Sequence, residues 1–323
     1  LDDDLFPCTI PFLTAIKENG GRYLFLTNNS SKSVSVYVEK LARLGIAATP
    51  EDFFTSTMAT CVYLKEKKLF LLDMDGTLYL DDDLFACTIP FLTAIKENGG
   101  RYLFLTNNSS KGVKVYIEKL ARLGIPATEE DFFTSTMATC VYLREHYHGK
   151  KIYAAGTSAF RQELAEAGFP ITDHLEDDID CLLMGNDSEL TFQKLEDACI
   201  LLGRNVTYLA TNPDWVCPTA YGYVPDCGSV CEMLWRATGK RPYFIGKPEP
   251  AMAQLAMAKW GAKPEETVMI GDRIYTDVAC GVNAGIDTIL VFSGETTREV
   301  WAESEVKPTW ALDSIADIYE VIR

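Results

Sequence analysis

Four short stretches of this chain carry residue types that can do chemistry, and each follows directly on an apolar run. Asp73-Met74-Asp75-Gly76-Thr77 follows Leu69-Phe70-Leu71-Leu72. Two carboxylates two residues apart at the end of a strand can both face a ligand once the strand breaks, and Gly76 permits the break. Thr106-Asn107-Asn108-Ser109 follows Tyr102-Leu103-Phe104-Leu105. Small hydroxyl and amide groups at a strand end can cradle an oxyanion, although an Asn-rich loop taken alone is usually a turn. Lys247 follows Phe244-Ile245-Gly246 and precedes Pro248, a place for a charge-neutralising amine. Gly271-Asp272, with Asp277 five residues on, follows Thr267-Val268-Met269-Ile270. Acids there, next to the strand that ends in Asp73 and Asp75, suit an oxygen-ligand cation such as Mg²⁺. Each stretch alone has a bland reading as a polar turn or a solvated side chain. Acid, hydroxyl, amine and acid in this order at four strand ends do not.

The elements that must hold these residues alternate along the chain. From residue 69 onwards, short apolar runs such as LFLL, YLFL, KIYAAG, CLLMG, TVMIG and TILVF are separated by stretches with apolar residues at helical spacing, VKVYIEKLARLGI at 113–125 among them. Strand–helix–strand alternation predicts an α/β fold with a mainly parallel sheet covered on both faces. In such sheets ligands sit beyond the carboxyl ends of the strands, where the four stretches lie.

Composition sets the outer limits. The 323 residues are 47% hydrophobic and 24% charged, which excludes wholesale disorder. Thirty Lys+Arg against 46 Asp+Glu leave a net charge of −16, which argues against a nucleic-acid partner. No apolar run approaches the ~20 residues that span a bilayer, and the acidic opening LDDDLF has no basic segment of the kind a signal peptide carries. Ten cysteines without a CxxC pair and only three histidines point to free thiols in a reducing cytoplasm, not to zinc.

Residues 1–66 reappear at 80–145, 79 positions later, with 59 of 66 identical. Only the second copy is preceded by LFLLDMDGTLY at 69–79, so any chemistry in that segment exists once. Two near-identical units do not make a solenoid, which needs three or more.

Together these motifs resemble the haloacid dehalogenase (HAD) superfamily of phosphatases, over residues 69–323. The resemblance implies a Rossmann-like parallel-sheet core with an inserted α/β cap. Asp73 to Thr106 is 33 residues and leaves no room for a cap. Thr106 to Lys247 is 141 residues, far more than a helical crossover needs. The expected organisation is therefore a partial duplicate at 1–68, core at 69–147, cap at 148–238 and core at 239–323. Ala210-Thr211-Asn212-Pro213-Asp214 and the Gly228-Ser229 step look like the NagD/para-nitrophenylphosphatase branch, although Pro225-Asp226-Cys227-Gly228-Ser229 lacks a second glycine that many relatives have.

By this resemblance Asp73 is the nucleophile of an aspartyl-phosphate mechanism and Asp75 the acid, then base. Mg²⁺ is held by the Asp73 carboxylate, the Asp75 backbone carbonyl and Asp272, with Asp277 supporting it through water or from behind. Thr106, Asn107, Asn108 and Lys247 bind the phosphoryl oxygens. Asn212 and Asp214 are candidates for leaving-group contacts, against an equally weighted local Asx turn. Trp215 is open between core and lid. The implied partner is a small phosphorylated metabolite, a sugar phosphate or nucleotide first; nucleic acid and membrane are not expected, and a homodimer stays open. The rival readings are a related phosphotransferase or mutase, and a HAD-fold binding protein whose catalysis the duplication impairs. For the first copy three outcomes are open: an apolar stripe left bare, packing or swapping, or displacement of 80–147 from the strand at 69–75. The second copy is the expected resident, because it is continuous with that strand.

Overall fold

The computed structural model describes residues 5–27, 34–55, 63–219 and 222–323. They divide into two compact units, one built on Leu1–Glu66 and the other on Lys67–Val321. The division falls two residues before the expected 68/69 boundary, because Lys68 already belongs to the larger unit. Its N–H donates to Glu266 O at 2.8 Å and its carbonyl accepts from Arg101 N at 2.8 Å.

The larger unit is centred on Leu69–Leu72, whose four residues are all buried. A strand buried on both faces has no polar side to alternate with, which is why LFLL reads as a continuous apolar run. Arg101–Thr106 and then Phe132–Thr134 lie on one side of it. Thr267–Gly271, Asp287–Val291 and Trp310–Leu312 follow on the other, and every pairing is parallel. Parallel neighbours put their carboxyl ends at one edge, so Asp73, Thr106 and Asp272 emerge together.

A second, five-stranded parallel sheet has the order Tyr243–Phe244, Thr207–Ala210, Cys181–Met184, Ile152–Ala155, Ile171–Thr172. It extends past the expected cap boundary at 238. Pairing continues beyond Phe244, with Ile245 N donating to Ala210 O at 3.0 Å and Gly246 N to Thr211 O at 2.7 Å. The segment that delivers Lys247 to the core is thus an edge of the cap sheet. Core and cap share one apolar cluster, in which Leu69, Leu105 and Phe133 of the core meet Phe160, Leu183 and Ile245. Among the described residues no helix is long and apolar enough to cross a membrane. The described cysteines are all free thiols.

The smaller unit repeats part of this architecture. It has helices Thr9–Glu18 and Val34–Arg43 and a two-stranded parallel sheet, Phe25–Thr27 with Phe53–Thr55. Its register, Phe25↔Phe53 to Thr27↔Thr55, is that of Phe104↔Phe132 to Thr106↔Thr134 in the second copy. The second copy is the one paired with Leu69–Leu72, as expected. Asn28 and Asn29, the first copy's counterparts of Asn107 and Asn108, lie outside the described residues.

Candidate active site

The strand Leu69–Leu72 ends at Asp73, and the chain then turns through Gly76, whose φ is +81°. A Cβ on Gly76 would lie 2.5 Å from Asp272 Oδ2, and one on Gly294 would lie 2.0 Å from the same oxygen. The bare backbone at these two positions lets the Asp272 carboxylate sit against the turn.

Lys247 is the hub of the site. It is only 2% exposed, and its Nζ lies 2.8 Å from Asp73 Oδ1, 2.6 Å from Asp277 Oδ1 and 3.2 Å from Leu105 O. Burial alone would lower its pKa, but the charges of Asp277 and Asp73 outweigh that and hold the ammonium charged. A single removed partner would leave an uncompensated buried charge.

Asp73, Asp272 and Asp277 each offer an oxygen within 4.8 Å of the others. Burial and the neighbouring charge of Asp277 push the Asp73 carboxyl up to about 7, against the pull of Lys247. Burial, Asp73 and Asp277 likewise raise Asp272 well above the usual carboxylate range. Asp272 Oδ2 accepts from Glu295 N at 2.6 Å, whereas its buried Oδ1 has no hydrogen-bond partner. Crowded, buried, oxygen-only ligands with one orphaned oxygen fit a hard divalent cation such as Mg²⁺. Asp277 is differently placed, since both its oxygens are taken, Oδ1 by Lys247 and Oδ2 by Arg273 N at 3.0 Å. The carboxylate of Asp75 stands outside this cluster. Burial raises its pKa, and its Oδ1 is 3.5 Å from the N–H of Asp81 in the hairpin Tyr79–Leu80/Asp83–Leu84.

The phosphate-loop candidates divide. Thr106 lines the cavity, its Oγ1 accepts from Asn108 N at 3.2 Å, and its hydroxyl also meets the Tyr116 oxygen. Asn107, expected to touch substrate, has its side chain fully engaged. Nδ2 donates to Asp214 Oδ2 at 2.7 Å and Lys247 O at 2.9 Å, while Oδ1 accepts from Lys247 N at 2.9 Å. It clamps the backbone of Lys247. Asn108 Oδ1 accepts from Ser110 N and Oγ at 2.9 and 2.6 Å, and Tyr116 OH donates to Asn108 O at 3.3 Å.

Asn212 and Asp214 are fully buried, Asp214 lines the cavity, and their hydrogen bonds reach well beyond an isolated local turn. Asn212 Nδ2 bridges Asp214 Oδ2 and Asp226 Oδ1 at 2.8 and 3.0 Å. Asp214 also takes Asn107 on Oδ2 and Arg273 Nη1 on Oδ1 at 2.6 Å. A buried carboxylate needs such donors, so this cap strand end is spent on anchoring cap to core. Gly228 closes the same joint: a Cβ there would lie 2.1 Å from Pro213 O, which is why the Gly228-Ser229 step admits no side chain at that position. Cys227, just before Gly228, is the buried first residue of helix Cys227–Thr238. Trp215 is 51% exposed and so is not core.

Arg273 was not singled out from sequence. It pairs with Asp214 and, through Nε, with Glu295 Oε2 at 2.8 Å. Its signal was a cation set between the acids Asp272 and Asp277. Asp73, Asp75, Thr106, Asn107, Asn108, Asp214, Lys247, Arg273 and Asp277 line one cavity of about 400 Å³, together with Tyr79, Tyr116, Lys111, Lys119 and Arg122, whereas Asp272 and Glu295 line a smaller one that also touches Asp75 and Arg273.

A family model described as haloacid dehalogenase-like hydrolase matches residues 1–69 and again 70–170, and one described as HAD-hydrolase-like matches 244–318. The 5′-nucleotidase YutF of Bacillus subtilis is 36% identical over 254 residues, which is 79% of this chain and 98% of that protein. An acid sugar phosphatase of Staphylococcus aureus is 34% identical over 259 residues, 80% of this chain and 98% of that protein. The crystal structure of a 4-nitrophenylphosphatase from Thermotoga maritima superposes with a TM-score of 0.76 at 37% identity, covering 81% of this chain and 99% of that one.

Proposed function

This chain belongs to the haloacid dehalogenase-like hydrolases, and from that membership we propose a Mg²⁺-dependent phosphomonoesterase that works through an aspartyl-phosphate on small metabolites, sugar phosphates or nucleotides. The observation that carries the reading is the position of Lys247 Nζ, 2.8 Å from Asp73 Oδ1, beside a buried acid cluster with an orphaned Asp272 oxygen.

Asp73 attacks phosphorus in line with the leaving oxygen, and the ester P–O bond breaks as the Asp73 O–P bond forms. Burial raises the Asp75 carboxyl above its ordinary range, against the pull of Lys119, which favours the protonated form that donates to the departing alkoxide. The resulting carboxylate then takes a proton from water, which attacks the aspartyl-phosphate and releases inorganic phosphate with Asp73 regenerated. Lys247 and the Thr106 hydroxyl face the phosphoryl oxygens as charge spreads over them. Asp73, Asp272 and the Asp75 backbone carbonyl would hold Mg²⁺, which when bound neutralises phosphoryl charge and keeps Asp73 ionised. Asn107, Asn212 and Asp214 position Lys247 and the cap. The purified chain should hydrolyse para-nitrophenyl phosphate with Mg²⁺ and stop on chelation; no hydrolysis in saturating Mg²⁺ refutes the reading.

A further inference from the structure

The cations lining the cavity fall into two groups. Lys247 and Arg273 are fully paired, with Asp73 and Asp277 and with Asp214 and Glu295. Lys111, Lys119 and Arg122 line the same cavity, and among the described residues none of them forms an ion pair. Lys119 instead rests its Nζ 4.2 Å from the centre of the Tyr79 ring. Two of the three belong to helix Val113–Arg122, where Val115, Lys119 and Arg122 line the cavity at spacings of four and three. That spacing places them on one face of the helix.

The helix also sets their distance from the reaction. Tyr116 bonds the Asn108 carbonyl beside the phosphoryl-binding loop. At 1.5 Å per residue, Lys119 and Arg122 stand about 4.5 and about 9 Å further along the axis. The cavity therefore continues from Asp73 between this helix and the hairpin that carries Tyr79 and Asp81. Asp75 and Asp81 are the carboxylates on that stretch, and Asp75 is reserved for proton transfer. A phosphoryl group is already met by Lys247 and Thr106, which leaves the helix cations for the other half of the substrate. Unpaired cations in a cleft focus their field on an anion entering it.

We propose that the leaving alcohol of the preferred substrate carries a second anionic group, a carboxylate or a phosphate, received by Lys119 and Arg122 with Lys111 adding to the attraction. This deepens, and rests on, the phosphomonoesterase reading. The test compares kcat/KM of the full chain for 2-phosphoglycolate, fructose 1,6-bisphosphate, glycerol 2-phosphate and para-nitrophenyl phosphate. The full chain should favour at least one doubly anionic substrate over glycerol 2-phosphate by tenfold or more, and which one identifies the second anion. Lys119→Gln with Arg122→Gln should cut that preference at least tenfold, through KM, while Lys119→Arg keeps it. An unchanged preference in the double variant, or a full chain that favours glycerol 2-phosphate, overturns the inference while para-nitrophenyl phosphate turnover leaves the parent reading standing. A chain that hydrolyses none of the four overturns both.

Discussion

The two copies of the 66-residue segment place nearly the same sequence in two surroundings. Their helices agree residue for residue, Thr9–Glu18 with Thr88–Glu97 and Val34–Arg43 with Val113–Arg122. Their strands do not. Arg101–Thr106 is six residues long, whereas its counterpart is only Phe25–Thr27. The part missing at Arg22–Leu24 corresponds to Arg101–Leu103, which pair with Leu69–Leu71. A helix satisfies its hydrogen bonds within itself, whereas a strand needs a neighbour. Burial follows the same division. Phe91 and Leu105 are 0% exposed, while Phe12 is 63% and Leu26 75% exposed. Seven differences in 66 do not account for this, since these four residues are identical between copies. What differs is the eleven-residue segment at 69–79 that supplies both the central strand and Asp73, the proposed nucleophile.

Chelation should have the largest effect on this contrast. Removing the divalent cation should take turnover to background, and readdition of Mg²⁺ should raise the melting temperature of the 67–321 unit alone, read by calorimetry. An Mg²⁺ shift that survives Asp272→Asn would place the cation elsewhere. Next, one substitution can be made in both copies. Phe91→Ala should cost about 3–5 kcal/mol by leaving a core cavity. Phe12→Ala should stay within about 0.5 kcal/mol. Equal costs in denaturant melts would mean that Phe12 is also packed.

A smaller effect follows from the raised carboxyls. Burial and the charge of Asp277 push the Asp73 carboxyl up to about 7, and burial and the charge of Asp214 push that of Asp226 up to about 6, from an ordinary value of 3.8. Between those limits the native state binds more protons than the unfolded chain, so stability falls as pH rises. In chelator, Tm should drop by a few degrees between pH 5 and 7.5, and Mg²⁺ should flatten the slope. A flat profile in chelator would contradict the burial of these groups. Deleting 1–66 should have the smallest effect of all, leaving kcat/KM within about twofold because every candidate catalytic group lies beyond residue 66. Collapse of folding on deletion would make the first copy part of the enzyme.

What was legible in the sequence was what local pattern determines. LFLL ahead of Asp73 and the four polar strand ends marked the sheet and its active edge. The choice of resident copy followed from chain continuity. What was not legible depended on distant partners. Asn107, Asn212 and Asp214 look like ligands because they are polar residues at strand ends. Only the fold shows that they spend their hydrogen bonds on each other, on Arg273 and on the backbone of Lys247. Arg273 was hidden because one cation between two acids reads as surface charge until its burial is known. The cap boundary at 238 fell short because Tyr243–Phe244 is a two-residue edge strand, too brief to carry a period.

The most direct measurement is turnover of para-nitrophenyl phosphate by Asp73→Asn in Mg²⁺, with circular dichroism and Tm recorded on the same sample. The amide is nearly isosteric, so the fold and melting transition should persist. Turnover should fall by at least about 10⁴-fold, because the group that forms the covalent bond is gone. A folded Asp73→Asn protein that keeps a tenth or more of the parent activity would contradict the assignment of a nucleophile that occurs once, at the end of the one strand the first copy lacks.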